Sequence, residues 1–151
     1  MTKSKYAMFD DLNPFLGIVL EGLTGLVDGK HFFDMIADDA IFDFRYDFPG
    51  WPRTIRGRPA LMDQFSGYGK SIKLHSADRL QVHRCQDSRV VFLEYEVHGT
   101  ILATRVAYDN RFCSIITIEN RKVAHWRDYT DSLAAWTALN GKPVSAARSR
   151  A

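Results

Sequence analysis

The chain has 151 residues, 46% of them hydrophobic and 13% aromatic, which predicts one globular domain with a packed core. Its formal net charge is only +2, and this argues against nucleic-acid binding because phosphate recognition needs a concentrated basic surface. No apolar stretch approaches the roughly 20 residues needed to cross a bilayer, so no membrane association is expected. The N-terminus lacks the apolar core of a signal sequence, which predicts a cytoplasmic protein.

The metal-ligating residue types are scattered along the chain. Cys85 and Cys113 lack the spacing of a metal site, and a chain of this size needs no disulfide to fold. We therefore expect two buried, reduced thiols. The five histidines form neither a His-x-His nor a His-Glu-x-x-His pair, so neither a metal nor another cofactor is predicted.

The first half of the chain is predicted to be mainly helical. Asn13-Pro14 places an N-cap before a proline at the first helical position, and apolar residues at helical spacing continue to Val27. Asp28-Gly29 then ends this long helix. The other predictions here are a frayed tail over 1–11, a short helix from Phe32 to about Asp39, a strand over 40–48, a turn-rich segment over 49–52 and a helix over 58–69.

The second half is predicted to be mainly β-structure. Alternating side chains indicate strands over roughly 74–85, 89–98, 100–118 and 121–129, with turns at Asp87-Ser88 and Asn120-Arg121. Asp131 is placed to cap a closing helix that ends near Gly141, and 142–151 are expected to be a second tail. Helices followed by antiparallel strands indicate an α+β fold, with helices on one face of a bent sheet. The single domain is predicted to span 12–141.

Three stretches resemble the nuclear transport factor 2-like/ketosteroid isomerase superfamily, and within it the SnoaL-like branch of polyketide cyclases and phenazine biosynthesis A/B proteins. They are ADDAIFDF (37–44), IRGRPAL (55–61) and YDNRFCSIITIENRKVAHWRDYTD (108–131). The resemblance implies a cone-shaped, curved antiparallel sheet wrapped around a long N-terminal helix, with a central apolar pocket. It also implies a homodimer. Related proteins include isomerases, aldol cyclases, epoxide hydrolases and dehydratases, besides pocket proteins without known chemistry.

The same resemblance gives Asp128 a functional position. Limonene epoxide hydrolases have a catalytic aspartate in a run similar to Trp126–Tyr129, and phenazine proteins have a glutamate there. SnoaL-like cyclases use an acid/base aspartate on this terminal segment, which here is Asp128 or Asp131. The resemblance therefore implies an acid/base role for a carboxylate at the end of the last strand.

Other catalytic positions of these relatives are not matched. The three ketosteroid isomerase positions correspond to Phe44, Leu20 and Ser114, so steroid isomerisation by that mechanism is not expected. The partner positions of the epoxide hydrolases correspond to aromatic or apolar residues, among them Tyr95 and Val97. Epoxide hydrolysis is accordingly less favoured than cyclase, isomerase or dehydratase chemistry.

Residue chemistry points to the same carboxylate. Strand alternation places Ala124, Trp126 and Asp128 on one apolar face, and a carboxyl in such surroundings has a raised pKa that suits proton transfer near neutral pH. Tyr95 is predicted to donate a hydrogen bond to a carbonyl or oxyanion. The predicted pocket residues are Trp126, Phe42, Phe44, Val97, Leu93, Asn110 and Tyr46, with Asp43 near the entrance.

Three functions remain open from the sequence. The favoured one is a cofactor-independent acid/base enzyme that uses Asp128 on a small hydrophobic carbonyl or hydroxyl compound. The second is a non-catalytic protein that binds such a compound in the same pocket. The third is a dimerisation or interaction module whose surface is formed by Glu94, Glu96, His98, His125 and Arg127. The structural alternative for Asp128 itself is an ion pair with Arg127, Arg111 or Lys122 on a solvated or dimer-facing strand. In each case a homodimer is expected to form through the outer face of the sheet, where His98 and His125 are predicted to lie.

Overall fold

The computed structural model describes residues 5–140 of the chain. Within this range, three α-helices, two 3-10 segments and six strands are formed. The helices are α1 (Asn13–Gly22), α2 (Arg58–Gly69) and α3 (Ser132–Leu139), and the 3-10 segments are Ala7–Leu12 and Phe32–Met35. The strands are β1 (Ile36–Phe44), β2 (Thr54–Arg56), β3 (Ile72–Arg84), β4 (Val90–Ile101), β5 (Ala107–Glu119) and β6 (Lys122–Thr130).

The six strands form one sheet in the order β2-β1-β6-β5-β4-β3. All neighbouring strands are antiparallel except β1 and β6, which run parallel. Register shifts interrupt the pairing of β1, β3 and β6, and such bulges bend a strand and increase its twist. The predicted α+β class with a curved, mostly antiparallel sheet is thus confirmed. None of the helices in residues 5–140 has the length and apolarity to cross a membrane.

An aromatic core lies between the inner face of the sheet and the helices. Phe15 on α1 contacts the rings of Phe32, Phe65 and Tyr95 at centroid distances of 5.8–5.9 Å. These tilted and edge-on contacts are the arrangements that aromatic pairs prefer. Because α1 also packs against β3 and β4, it covers one part of the inner face and leaves the region near β6 to other elements.

The first two helices differ from the sequence-based prediction. α1 ends at Gly22 instead of Val27, and the following turn contains Gly25 at φ +83°, a conformation that suits glycine. The predicted helix near 32–39 is only the 3-10 segment Phe32–Met35. The chain then enters β1 at Ile36, because parallel pairing with β6 outweighs the local helical pattern.

Strand boundaries also needed correction. β1 ends at Phe44 rather than at residue 48, and the short strand β2 was not predicted. Gly99 does not separate two strands; it lies inside β4, and the turn follows at residues 102–106. The predicted turns near residues 87–88 and 120–121 are confirmed.

Two expectations about exposure were wrong. The segment Ala7–Leu12 belongs to the packed structure, since Phe9 and Leu12 are each only 1% exposed. Residues 7–11 therefore do not belong to a frayed N-terminal tail. Cys85 and Cys113 are partly exposed free thiols rather than buried ones. Gly141 and the predicted C-terminal tail 142–151 lie outside the described residues, and the proposed limits of the domain remain a prediction.

The outer face of the sheet carries paired charges. His98 lies between Asp109, at 2.6 Å, and Asp78, at 2.9 Å. His125 contacts Asp43 at 2.7 Å. Both histidines therefore lie on the outer face as predicted, whereas Asp43 lies there too and not at the entrance of the pocket.

Gly99 gives a direct test of the close approach between β3 and β4. A methyl group on Gly99 would collide with the carbonyl oxygen of Lys73 and lie 3.0 Å from the Cα atom of Leu74. We expect Gly99→Ala to lower the free energy of unfolding by about 1–3 kcal/mol, as overpacking does, in urea denaturation. Gly17→Ala is the control, because Gly17 lies in α1 with open space around its Cβ position; it should stabilise by about 0.5–1 kcal/mol. Equal effects of the two substitutions would contradict the steric argument.

Candidate active site

A cavity of about 230 Å³ lies on the inner side of the sheet, beside α2 and α3. Its lining is mainly apolar and rich in aromatic residues, and the only charged side chain contributed to it by residues 5–140 is Asp128. The aromatic residues that line it are Phe15, Phe44, Tyr46, Phe48, Trp51, Phe65, Tyr68, Tyr108 and Phe112. Such an apolar cavity with few polar groups is the usual form of a small-molecule site.

Asp128 is fixed through one of its two carboxylate oxygens. The Ser114 hydroxyl donates to Oδ1 at 2.7 Å, and the Trp126 indole N–H donates to the same oxygen at 3.1 Å. Ser114 can reach Asp128 because the two residues are directly paired across β5 and β6. The second oxygen, Oδ2, accepts no hydrogen bond from residues 5–140. One oxygen therefore orients the carboxylate, and the other is available to a ligand in the cavity.

The environment of Asp128 favours its protonated form. The residue is only 5% exposed, and burial raises its pKa from the ordinary 3.8 to about 6, although the hydrogen bonds from Ser114 and Trp126 act in the opposite direction. A carboxyl group with this pKa can both accept and return a proton near neutral pH. This agrees with the raised pKa predicted from the apolar strand face.

Asp128 forms no ion pair with Arg111, Lys122 or Arg127. Arg111 contacts Asp131 at 3.4 Å, Lys122 donates to backbone carbonyls of Asp28 and Asp34, and Arg127 is exposed. Asp131 instead caps α3, since its carboxylate accepts from the backbone N–H of Ala134 at 3.0 Å. Of the two candidate aspartates, only Asp128 lines the cavity.

Tyr95 lies behind the site rather than in it. Its hydroxyl is 2.9 Å from Ser114 Oγ; because Ser114 gives its own proton to Asp128, Tyr95 is the donor of this bond. Tyr95 is 2% exposed and does not line the cavity. The predicted direct contact of Tyr95 with a ligand does not fit this geometry, and Tyr95 supports Ser114 instead.

The predicted pocket residues divide into two layers. Phe44, Tyr46, Val97 and Asn110 line the cavity, whereas Trp126, Phe42 and Leu93 do not. Phe42 stacks on Trp126 at 5.5 Å between ring centroids, and Leu93 contacts α1 near Gly22. Trp126, Phe42 and Leu93 are covered by the core, which fills much of the inner face of the sheet. The cavity lies at the end of that face that the core does not fill. Ala124 also departs from the expected alternation, since the bulge in β6 places it beside His125 at a groove of the outer face.

Sequence reasoning missed seven aromatic side chains of the cavity, and three of them, Trp51, Tyr68 and Tyr108, carry polar atoms. Tyr108 accepts a hydrogen bond from the Asn110 side-chain amide at 2.9 Å. Tyr108 shares the inward face of β5 with Asn110, so strand alternation contained a signal for it. Trp51, in the loop before β2, has a buried Nε1–H without an acceptor in the part of the chain that the structure describes. Only tertiary packing brings Trp51 and Tyr68 to the site.

The burial of Asp128 has a measurable effect on stability. Since its pKa is higher in the folded protein, the stabilisation that it gives is complete at low pH and is lost as the pH rises from about 4 through 6. The free energy of unfolding of Asp128→Asn minus that of the wild type should therefore be larger at pH 8 than at pH 4, by up to about 3 kcal/mol. Urea denaturation at both pH values measures this difference. Asp47→Asn, at an exposed aspartate, should show no such trend; a trend equal to that of Asp128→Asn would contradict the assignment.

Comparison with known proteins places this chain in a family. Residues 27–126, 100 of the 151 in the chain, match the SnoaL-like domain. The uncharacterized protein YesE of Bacillus subtilis is 29% identical over 132 residues, 87% of this chain and 86% of that protein. A crystal structure of a "Putative Isomerase" from Bacillus subtilis is 26% identical with a TM-score of 0.71, covering 93% of this chain and 99% of that one.

A more distant solved structure has the same fold. The phenazine biosynthesis-related protein phzb2 of Pseudomonas aeruginosa is 16% identical with a TM-score of 0.64, covering 93% of this chain and 88% of that one. The resemblance drawn from residues 37–44, 55–61 and 108–131 is therefore confirmed. The chain belongs to the SnoaL-like domain family of the nuclear transport factor 2-like superfamily.

Proposed function

We propose that this protein is a cofactor-independent acid/base enzyme that acts on a small, largely apolar carbonyl compound, with Asp128 as the proton-transferring group. The observation that carries this proposal is the difference in hydrogen bonding between the two carboxylate oxygens of Asp128. Oδ1 is fixed by two donors, Oδ2 has no hydrogen bond from residues 5–140, and Asp128 lines a cavity rich in aromatic residues. A positioned general base needs this combination of fixed orientation and an available lone pair.

The reaction class follows from what one such carboxylate can do. Oδ2 removes a proton from the carbon next to a carbonyl group, and the resulting enolate forms when the C–H electron pair becomes part of a C=C bond. Return of the same proton to a different carbon is the reaction of an isomerase. Attack of the enolate on a second carbonyl group of the substrate is the reaction of an aldol cyclase. Solved structures of this fold include a "Putative Isomerase" and a "putative polyketide cyclase", which supports proton transfer next to a carbonyl over epoxide hydrolysis.

Binding without turnover is the second candidate, and the lining of the cavity favours a particular form of it. Aromatic faces around a single carboxylate also suit a small organic cation, which interacts with the ring faces and pairs with the charge. A protein of this fold from Catenulispora acidiphila has been crystallised with trimethylamine. In that case the protein would bind an amine and would catalyse no proton exchange.

Deuterium exchange tests the proposed enzyme directly. In D₂O the wild type should catalyse exchange of the protons next to the carbonyl of cyclohexanone, followed by proton NMR. Asp128→Asn should lower the catalysed rate by about 10²-fold or more, the usual contribution of a general base. The rate of the wild type should rise with pH through about 6 and then level off, because Asp128 must be ionised to accept a proton.

Asp131→Asn provides the matched control for this experiment. It removes a carboxylate three residues away, while asparagine remains a good N-cap for α3, so exchange should be unchanged. If the wild type shows no exchange but binds a trimethylammonium compound more tightly above pH 6, the binding protein replaces the enzyme. Equal loss of exchange in both variants would contradict a specific role for Asp128.

The expected homodimer is proposed to form through the outer face of the sheet. The aromatic side chain of Tyr129 is 40% exposed there, opposite Cys113 of β5. Sedimentation velocity at micromolar concentration should give twice the monomer mass of 17.3 kDa. Tyr129→Asp should shift the protein towards monomer, whereas Met8→Asp, at an exposed residue of the N-terminal 3-10 segment, should not. A monomeric wild type would contradict the proposed dimer.

A further inference from the structure

We infer that Tyr108 donates the hydrogen bond that binds the substrate carbonyl oxygen, and that the substrate is an uncharged carbonyl compound with a single ring. This inference rests on the proposed function, because it assigns a partner to Asp128 and a size to the molecule between them. It also replaces Tyr95, which the sequence favoured for the carbonyl contact.

The hydrogen bonds around Tyr108 leave its own proton for a ligand. The orientation of the Asn110 amide is determined by the backbone N–H of Arg111, which donates to Oδ1 at 2.8 Å. The amide nitrogen must then donate to the Tyr108 hydroxyl oxygen, at 2.9 Å. The hydroxyl oxygen of Tyr108 is therefore the acceptor in its hydrogen bond with Asn110. No hydrogen bond donated by Tyr108 is formed within residues 5–140, so its O–H is available to a ligand that enters the cavity.

The Asn110 amide also prepares this oxygen for developing charge. Burial raises the pKa of Tyr108, while the polar side chains of Tyr68 and Asn110 act in the opposite direction by stabilising negative charge on its oxygen. Chains of hydrogen bonds polarise one another in a site of low dielectric constant. Tyr108 is therefore a stronger donor towards an enolate oxygen than an isolated buried phenol would be, which is the property needed to stabilise charge in the transition state.

The volume of the cavity limits the substrate. An apolar cavity of about 150 Å³ in another protein accommodates benzene, and the cavity here measures about 230 Å³. That volume admits one ring with a carbonyl substituent and excludes compounds of four fused rings. Because Asp128 is the only charged side chain that residues 5–140 place in the lining, an anionic ligand would be repelled when Asp128 is ionised.

Asp128 and Tyr108 have different roles in one proton transfer. Asp128 Oδ2 takes the proton from the carbon next to the carbonyl, the C–H pair forms the C=C bond, and the C=O π pair moves to oxygen. The Tyr108 O–H holds that oxygen throughout and keeps its own proton. When Asp128 returns the proton to carbon, the electrons move back and the carbonyl group is restored, so no external reductant or oxidant takes part.

Binding of methyl benzoate tests the inference without relying on turnover, because this one-ring ester has no proton next to its carbonyl group to remove. Its carbonyl stretching frequency in the wild type should be lower than in an apolar solvent, as measured by infrared difference spectroscopy. Tyr108→Phe should abolish most of that shift and weaken binding about three- to tenfold, as expected for one lost hydrogen bond. Methyl naphthoate and methyl pyrenecarboxylate, with two and four rings, should bind progressively more weakly.

Two matched variants distinguish direct contact from a structural effect. Tyr95→Phe removes a buried hydroxyl from the hydrogen bonds behind Asp128, and Tyr6→Phe removes a hydroxyl that donates to Asp34 and does not line the cavity. Both should preserve the carbonyl shift. The assignment is overturned if either variant loses the shift as Tyr108→Phe does, if the four-ring ester binds as tightly as methyl benzoate, or if no member of the series binds. Absence of deuterium exchange in a wild type that shows the expected carbonyl shift would instead refute the catalytic proposal and leave the Tyr108 contact intact.

Discussion

The burial of one carboxylate, Asp128, constrains the rest of the site. Removing this group from water disfavours its charge, and the cost is offset only where donors reach it. Ser114 and Trp126 supply these donors because the register of β5 and β6 brings them to the same oxygen. A slip of one residue would turn Asp128 to the outer face, since side chains alternate along a strand. The strand register therefore sets both the position and the acidity of the group.

Around this carboxylate, the same aromatic residues serve packing and chemistry. Trp126 stacks on Phe42 and packs edge-on against Phe32 while its indole N–H orients Asp128. α1 fills the part of the inner face near β3 and β4, so the space left beside α2 and α3 becomes the cavity. Aromatic side chains are rigid and bury large areas, and Asp128 and Tyr108 are only 5% and 2% exposed among them. Burial of this kind strengthens each of the few polar contacts that a ligand makes there.

Charged side chains have different partners on the two faces of the sheet. On the outer face, His98 and His125 are paired with carboxylates that remain partly in contact with water. On the inner face, Asp128 has hydrogen-bond donors but no basic side chain from the described residues within its contacts. A buried anion without a countercharge is stabilised by protonation or by a ligand that complements it. This difference supports a functional role for Asp128 and a structural or interfacial role for the outer pairs.

The sequence alone determined the α+β class, the inward face of β4, the family and the position of Asp128 on an apolar strand face, because these depend on alternation and local motifs. It did not determine the end of α1, the start of β1 or the strand β2, since pairing between distant strands outweighs local preference at those places. Nor did it separate Tyr95 from Tyr108. Both are inward tyrosines on adjacent strands, and only the tertiary structure shows that Tyr95 bonds to Ser114 in the core while Tyr108 lines the cavity. Hydrogen-bond partners and cavity boundaries arise from segments such as α2 and the loop of Trp51, whose meeting with β5 and β6 has no local signal in the chain.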